Sequence, residues 1–148
     1  MTRRLHVLNG PNLDRLGKRE PEIYGRTTLA EIEALCRDAA GPDTVVFRQT
    51  NYEGQLVEWI HDAIDSDAAG LVINPAGLSF RSIPLVDALR MFTRPVVELH
   101  ISNIHRRDAL HQHSLVSTVA TAVIAGLGAR GYATAIRSLR EMLDNAAN

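Results

Sequence analysis

Three short apolar runs in the chain end directly in residues that can do chemistry. Leu5 to Leu8 runs into Asn9-Gly10-Pro11-Asn12, and Gly70 to Ile73 runs into Asn74-Pro75. Pro95 to Leu99 runs into His100, with Glu98 two residues before it and Ser102 two after. Amides and hydroxyls donate and accept hydrogen bonds, and imidazole exchanges protons near neutral pH. A fourth feature is the polar stretch from about Gly10 to Arg26, which carries Lys18, Arg19, Glu20 and Tyr24. Compact domains seldom contain so long a connection unless it binds or covers something. This stretch is the first functional candidate.

The surrounding pattern says what must position these groups. Leu5–Leu8, Val45–Phe47, Gly70–Ile73 and Pro95–Leu99 read as strands. Val119–Ala125 reads as a fifth, because it is rich in β-branched residues and is followed by glycines. Between them lie helical spacings. Thr28 and Glu31 fit a capping box before Leu29, Ile32, Leu35 and Cys36, and Gly41-Pro42 ends that helix. Further helices are expected over Gln55–Ile64, Ile83–Met91 and Gly131–Leu143. Alternation of strand and helix predicts an α/β fold, a five-stranded parallel sheet with helices on both faces. The expected strand order is the flavodoxin-like 2-1-3-4-5. Ligands of such sheets bind beyond the carboxyl ends of the strands, so the polar groups above should meet in one cleft under the long loop.

Length and composition bound the function. The 148 residues predict one domain spanning 1–148, large enough to bury a core without disulfides or structural metal. Net charge is −1, which disfavours a nucleic-acid partner. No apolar run approaches the roughly 18 residues of a membrane span. The start reaches Asn9 and Gly10 too early for a secretory signal. The lone Cys36 suits a reducing cytoplasm and a buried, unreactive thiol.

Two motifs are decoys. Gly126-Leu127-Gly128-Ala129-Arg130-Gly131 spells G-x-G-x-x-G, but only 17 residues follow it, with no further strand to carry the acidic ribose ligand. A tight turn with close helix packing is expected instead. His105, His111 and His113 match no zinc spacing, so no metal site is expected.

The residues then become familiar. Leu8-Asn9-Gly10-Pro11-Asn12-Leu13 and Arg19-Glu20-Pro21-x-x-Tyr24-Gly25 resemble the amino-terminal signature of type II 3-dehydroquinate dehydratases. The resemblance continues through Asn51-x-Glu53-Gly54, Trp59-Ile60-His61, Asn74-Pro75, Glu98-x-His100-x-Ser102-Asn103-x-His105, His113-Ser114 and Gly131-Tyr132. It implies the flavodoxin-like fold and interconversion of 3-dehydroquinate and 3-dehydroshikimate, in shikimate synthesis or quinate breakdown, without cofactor or metal. It also implies a homododecamer built as a tetramer of trimers. Carried over by position, Tyr24 would take a proton from C2, and Arg19 would lower the pKa of Tyr24. Asn12 and Asn74 would stabilise the enolate with a held water. His100 would protonate the leaving hydroxyl, oriented by Glu98. Ser102 and the adjoining backbone of Ile101 would hold the carboxylate, and Arg107 the ring hydroxyls. Asp87 would reach a neighbouring subunit's site.

Two departures from the family pattern stand out. Phe80 occupies the place of a substrate-binding histidine, and His111 the place of a second arginine. Asp14 and Tyr52 are minor changes. The departures leave weak 3-dehydroquinate dehydration beside a similar elimination on a related cyclic hydroxy-keto acid. A non-catalytic binding protein is a third reading, opposed by the retention of Arg19 and Tyr24 on one loop.

Overall fold

The computed structural model describes residues 2–148. Strands β1 (Arg4–Asn9), β2 (Thr44–Gln49), β3 (Gly70–Asn74), β4 (Val96–His100) and β5 (Ala122–Ala125) alternate with helices α1 (Pro21–Tyr24), α2 (Leu29–Ala40), α3 (Glu53–Asp65), α4 (Ile83–Met91) and α5 (Gly131–Ala147). The sheet order is β2-β1-β3-β4-β5, and every strand pairing is parallel. The doubly wound order expected from the alternation is therefore the one observed.

Each face of the sheet buries its own apolar layer. Leu5, Val7, Val72 and Leu99 pack against α2 and α5 through Ile32, Cys36, Ile136 and Leu139. Leu8, Leu71 and Ile73 pack against α3 and α4 through Leu56, Ile60, Leu85 and Leu89. These side chains are almost wholly buried, and each contributes roughly 1.5–3 kcal/mol relative to exposure. The β3 and β4 residues are buried on both faces, which is why those runs lack the alternation of a half-exposed strand.

Local chemistry sets the ends. The capping box forms: the Thr28 hydroxyl accepts from the Glu31 N–H at 3.2 Å, and the Glu31 carboxylate accepts from the Thr28 N–H at 3.3 Å. A Cβ at Gly10 would stand 2.5 Å from the Pro75 carbonyl oxygen, so only glycine lets the loops after β1 and β3 approach. Several expected bounds shift: α5 runs on from the expected Leu143 to Ala147, and α3 spans Glu53–Asp65 where Gln55–Ile64 was expected. The fifth strand is shorter than Val119–Ala125, because a 3-10 turn over Val116–Thr118 comes first. The expected loop over Gly10–Arg26 contains a 3-10 turn at Leu13–Arg15 and the one-turn helix α1.

Burial pushes the Cys36 thiol up to about 12, so it stays protonated and inert at neutral pH. Behind the sheet, away from the strand ends that hold the polar groups, β1 buries His6, which is 2% exposed. Neither of its ring nitrogens has a hydrogen-bond partner among the described residues. Burial, reinforced by the Arg48 and Arg4 charges, pushes its pKa down to about 4. An unfolded histidine titrates near 6.5. Between those values the unfolded chain holds a proton that the folded chain excludes, so stability falls as pH falls through this window. The loss is on the order of 3 kcal/mol. His6→Leu should remove it: thermal unfolding midpoints of variant and wild type should diverge below about pH 6.5, with the variant holding steadier. Parallel curves down to about pH 4 would show that His6 does not set the acid limit.

Candidate active site

The five carboxyl ends open on one edge of the sheet, and a cleft of about 120 Å³ lies there. Asn12, Arg19, Tyr24, Asn74, Phe80, His100, Ile101, Ser102, Arg107 and His111 line it, with Pro11, Leu13, Ala76, Gly77 and Ile104. The structure thus gathers every predicted site residue except Glu98, which lies beneath the cleft, and Asp87, which lies outside it. Asp87 is exposed on α4, 3.8 Å from the Arg90 guanidinium.

The lid is built from local signals. Leu13 and Leu16 are buried and anchor its first half. Pro21 starts α1, whose fixed φ suits a first helical turn, and Gly25 at φ 79 ends it. Tyr24 is the last residue of α1, and its hydroxyl points at two cations. Arg19 Nη2 donates to it at 3.2 Å and Arg107 Nη1 at 2.9 Å. The Arg19 guanidinium carbon also lies 4.3 Å from the centre of the tyrosine ring. Two guanidinium groups thus make charge-assisted hydrogen bonds to one phenol oxygen. Sequence spacing could suggest the Arg19–Tyr24 pair. Arg107 comes from the loop after β4, and nothing in the sequence links it to Tyr24.

His100 is the last residue of β4, and Glu98 shares its sheet face. The Glu98 side chain is wholly buried, and Oε2 lies 2.5 Å from His100 Nε2. The Ser114 hydroxyl donates to Oε2 and the Ser117 hydroxyl to Oε1, both at 2.5 Å. Burial alone would raise the Glu98 pKa, but these hydrogen bonds outweigh it and hold the carboxyl below its ordinary value. An ionised carboxylate only accepts, so His100 donates through Nε2 and keeps Nδ1 for the cleft. Ser114 and Ser117 as holders of Glu98 were not singled out from the sequence. Polar residues in a loop after a strand offer no signal that separates them from solvated neighbours.

Asn12 adopts a left-handed backbone conformation, φ 70, which asparagine tolerates better than most residues. Its N–H donates to Asn51 Oδ1 at 2.8 Å, while its side chain lines the cleft. Asn74 is nearly buried at the end of β3. It donates to the Tyr132 hydroxyl at 2.8 Å and accepts from the Ala76 N–H at 3.2 Å.

Phe80 puts an aromatic ring into the cleft lining, beside two histidines. The Phe80 ring centre lies 6.3 Å from that of His100 and 5.4 Å from that of His111, edge-on to the latter. His111 Nδ1 is held by the Asp108 carboxylate at 2.8 Å. Arg81 is exposed and does not line the cleft. The G-x-G-x-x-G segment is a turn with tight packing: Gly126 has φ 91, and a Cβ at Gly131 would sit 3.1 Å from Leu99.

A doubly wound sheet carrying an acid–base cleft at its carboxyl edge defines an α/β enzyme-like scaffold, and the comparisons narrow it further. The family described as Dehydroquinase class II matches residues 3–140, and the chain belongs to that family. It is 54% identical over 139 residues to a 3-dehydroquinate dehydratase of Bartonella bacilliformis, covering 93% of this chain and 87% of that one. It is 52% identical over 136 residues to 3-dehydroquinate dehydratase 2 of Agrobacterium fabrum, covering 90% and 91%. The type II dehydroquinase of Propionibacterium acnes superposes with a TM-score of 0.88 at 43% identity, covering 95% of this chain and 98% of that one.

Proposed function

We propose that this protein is a hydro-lyase that dehydrates 3-dehydroquinate to 3-dehydroshikimate through an enolate, in the shikimate or quinate route. The observation that carries this reading is the pair of guanidinium groups on the Tyr24 hydroxyl, facing His100 across one cleft. Relatives about half identical to this chain carry the dehydratase name.

The roles that the family resemblance implies fit this arrangement. Tyr24, its hydroxyl held by Arg19 and Arg107, takes the C2 proton. Charge then builds on the C3 oxygen. Asn12 and Asn74, with a held water, supply fixed donors where that charge appears, usually the largest single source of rate. The enolate expels the C1 hydroxyl. His100, held in orientation by Glu98, gives that hydroxyl a proton so that it leaves as water. Ser102 and the backbone at Ile101 hold the substrate carboxylate. Arg107 has donors beyond the one on Tyr24, and these reach ring hydroxyls. No step calls for a cofactor or a metal. Lid closure over the cleft excludes water and brings base and activator together.

Phe80 and His111 set the limit of this activity. Phenylalanine cannot hydrogen-bond a ring hydroxyl, whereas imidazole can donate or accept. An elimination on a cyclic hydroxy-keto acid with an apolar group at that position is the second reading, favoured by the Phe80 wall.

The chain acts as a homo-oligomer, a dodecamer assembled as a tetramer of trimers, in the cytoplasm. Asp87 supports this because it lies outside its own chain's cleft, on an exposed face of α4 beside Ile83 and Met91. A closed assembly would bring that face against a neighbour. Light scattering should give the mass of a dodecamer; a lone chain at micromolar concentration would contradict it.

The activity itself is tested by adding 3-dehydroquinate and following the absorbance of the conjugated enone product. The wild type should turn over. Phe80→His should raise kcat/KM about ten- to a hundredfold, the worth of one good hydrogen bond. His111→Arg should add to that gain. Absence of wild-type and variant turnover would overturn the reading. Wild-type turnover with no gain from Phe80→His would leave the dehydratase and remove Phe80 as its limit.

A further inference from the structure

The Asn51-x-Glu53-Gly54 stretch follows β2, the edge strand whose carboxyl end brings no side chain to the cleft. Gln49, Asn51 and Asp14 all lie outside the cleft lining. Gln49 closes β2 in register with Asn9 and stands beside the loop that follows β1. Its Nε2 donates to the Gly10 carbonyl at 3.2 Å and to Asn51 Oδ1 at 3.1 Å. Asn51 Oδ1 also accepts from the Asn12 N–H at 2.8 Å, and Asn51 Nδ2 faces Asp14 Oδ2 at 3.5 Å. These bonds converge on Asn12, the cleft residue held at φ 70.

Every donor and acceptor here is dictated by its neighbours. A backbone N–H can only donate, so Asn12 turns the Asn51 oxygen toward itself. That oxygen has two lone pairs, and Gln49 fills the second with an N–H. The other proton of the same Gln49 nitrogen meets the Gly10 carbonyl, which can only accept. The Asn51 nitrogen is left toward Asp14, whose carboxylate accepts. A left-handed backbone is open to asparagine, and a change in φ or ψ there swings the side chain out of line. Asn51 is exposed, so water satisfies the Asn12 N–H in its absence. Water does not fix the direction in which that N–H points.

We infer that Asn51 is a positioning residue: backed by Gln49, it locks the left-handed backbone of Asn12 and so aims the Asn12 side chain at the charge that develops in the cleft. The inference rests on the dehydratase reading for the identity of that charge, the enolate. A donor lowers the barrier most when it is already aimed where the charge appears, so a loosened Asn12 loses rate although it keeps its side chain.

Asn51→Ala removes the bond to Asn12 and leaves every cleft residue in the chain. It should lower kcat on 3-dehydroquinate about three- to thirtyfold, short of the loss from deleting a transition-state donor, with KM within about twofold. Gln49→Ala should lower kcat in the same sense, although Gln49 does not line the cleft. Asn51→Asp alone sets two carboxylates side by side, so the conservative rescue combines it with Asp14→Asn. That pair keeps an acceptor for the Asn12 N–H and should hold kcat within about threefold of wild type. In a double-mutant cycle, Asn51→Ala should cost little once Asn12→Ala is present, because both act through one side chain. Independent multiplicative losses would overturn the inference, as would failure of the paired rescue or a folded Asn51→Ala with kcat within about twofold of wild type. An Asn51→Ala that did not fold would make the residue structural and overturn it too. A crystal structure of Asn51→Ala gives a readout free of turnover. The Asn12 side chain should have left its wild-type direction, and an unmoved Asn12 would overturn the inference even if the dehydratase reading failed.

Discussion

All five strands run in the same direction, and that single constraint places the chemistry. A strand ends where its apolar run ends, and in this chain three such runs end in Asn9, Asn74 and His100. Parallel pairing in register carries those three ends to one edge, with Asn9 directly opposite Asn74. The close approach of Gly10 to Pro75 tightens the edge further, and Gly10 N–H bonds the Asn74 carbonyl at 2.8 Å. An antiparallel sheet of the same strands would split these residues between two edges.

Each face of the sheet then supports a different part of the cleft. On the α2/α5 face, Tyr132 ties Asn9 to Asn74 inside the apolar layer. On the α3/α4 face, buried Glu98 holds His100 and is itself held by Ser114 and Ser117. Buried polar groups are costly unless each is paired, and both networks are paired. The lid is the exception to this rigidity. It covers the cleft with a one-turn helix entered at Glu20, whose left-handed φ of 33 is unfavourable for a residue with a Cβ. Tyr24 lies on that segment, so its contact with Arg107 depends on the segment folding over the strand ends.

Much of this was legible in the sequence because local chemistry writes it there. Buried parallel strands are short apolar runs, the Thr28–Glu31 box marks a helix start, and glycine and proline mark the turns. The expected bounds of α4, Ile83–Met91, coincide with the observed ones. Contacts between distant segments were not legible. Arg107 meets Tyr24 across 83 positions, and Tyr132 meets Asn9 across 123. No periodicity relates residues so far apart; only the packed fold does. Asp87, expected to reach a neighbouring subunit's site, is exposed on α4, 3.8 Å from the Arg90 guanidinium. Phe80 was expected in the cleft wall and is found there, with its ring near both His100 and His111.

The central claim is that the Tyr24 hydroxyl, under two guanidinium groups, is the base that starts the reaction. Steady-state turnover of 3-dehydroquinate by Tyr24→Phe tests it most directly, since the ring and its contacts remain and only the oxygen is lost. The account predicts a fall in kcat of about 10²- to 10⁴-fold, the usual worth of a positioned acid or base, with thermal unfolding close to that of the wild type. A folded Tyr24→Phe retaining kcat within about tenfold, short of that range, would contradict it.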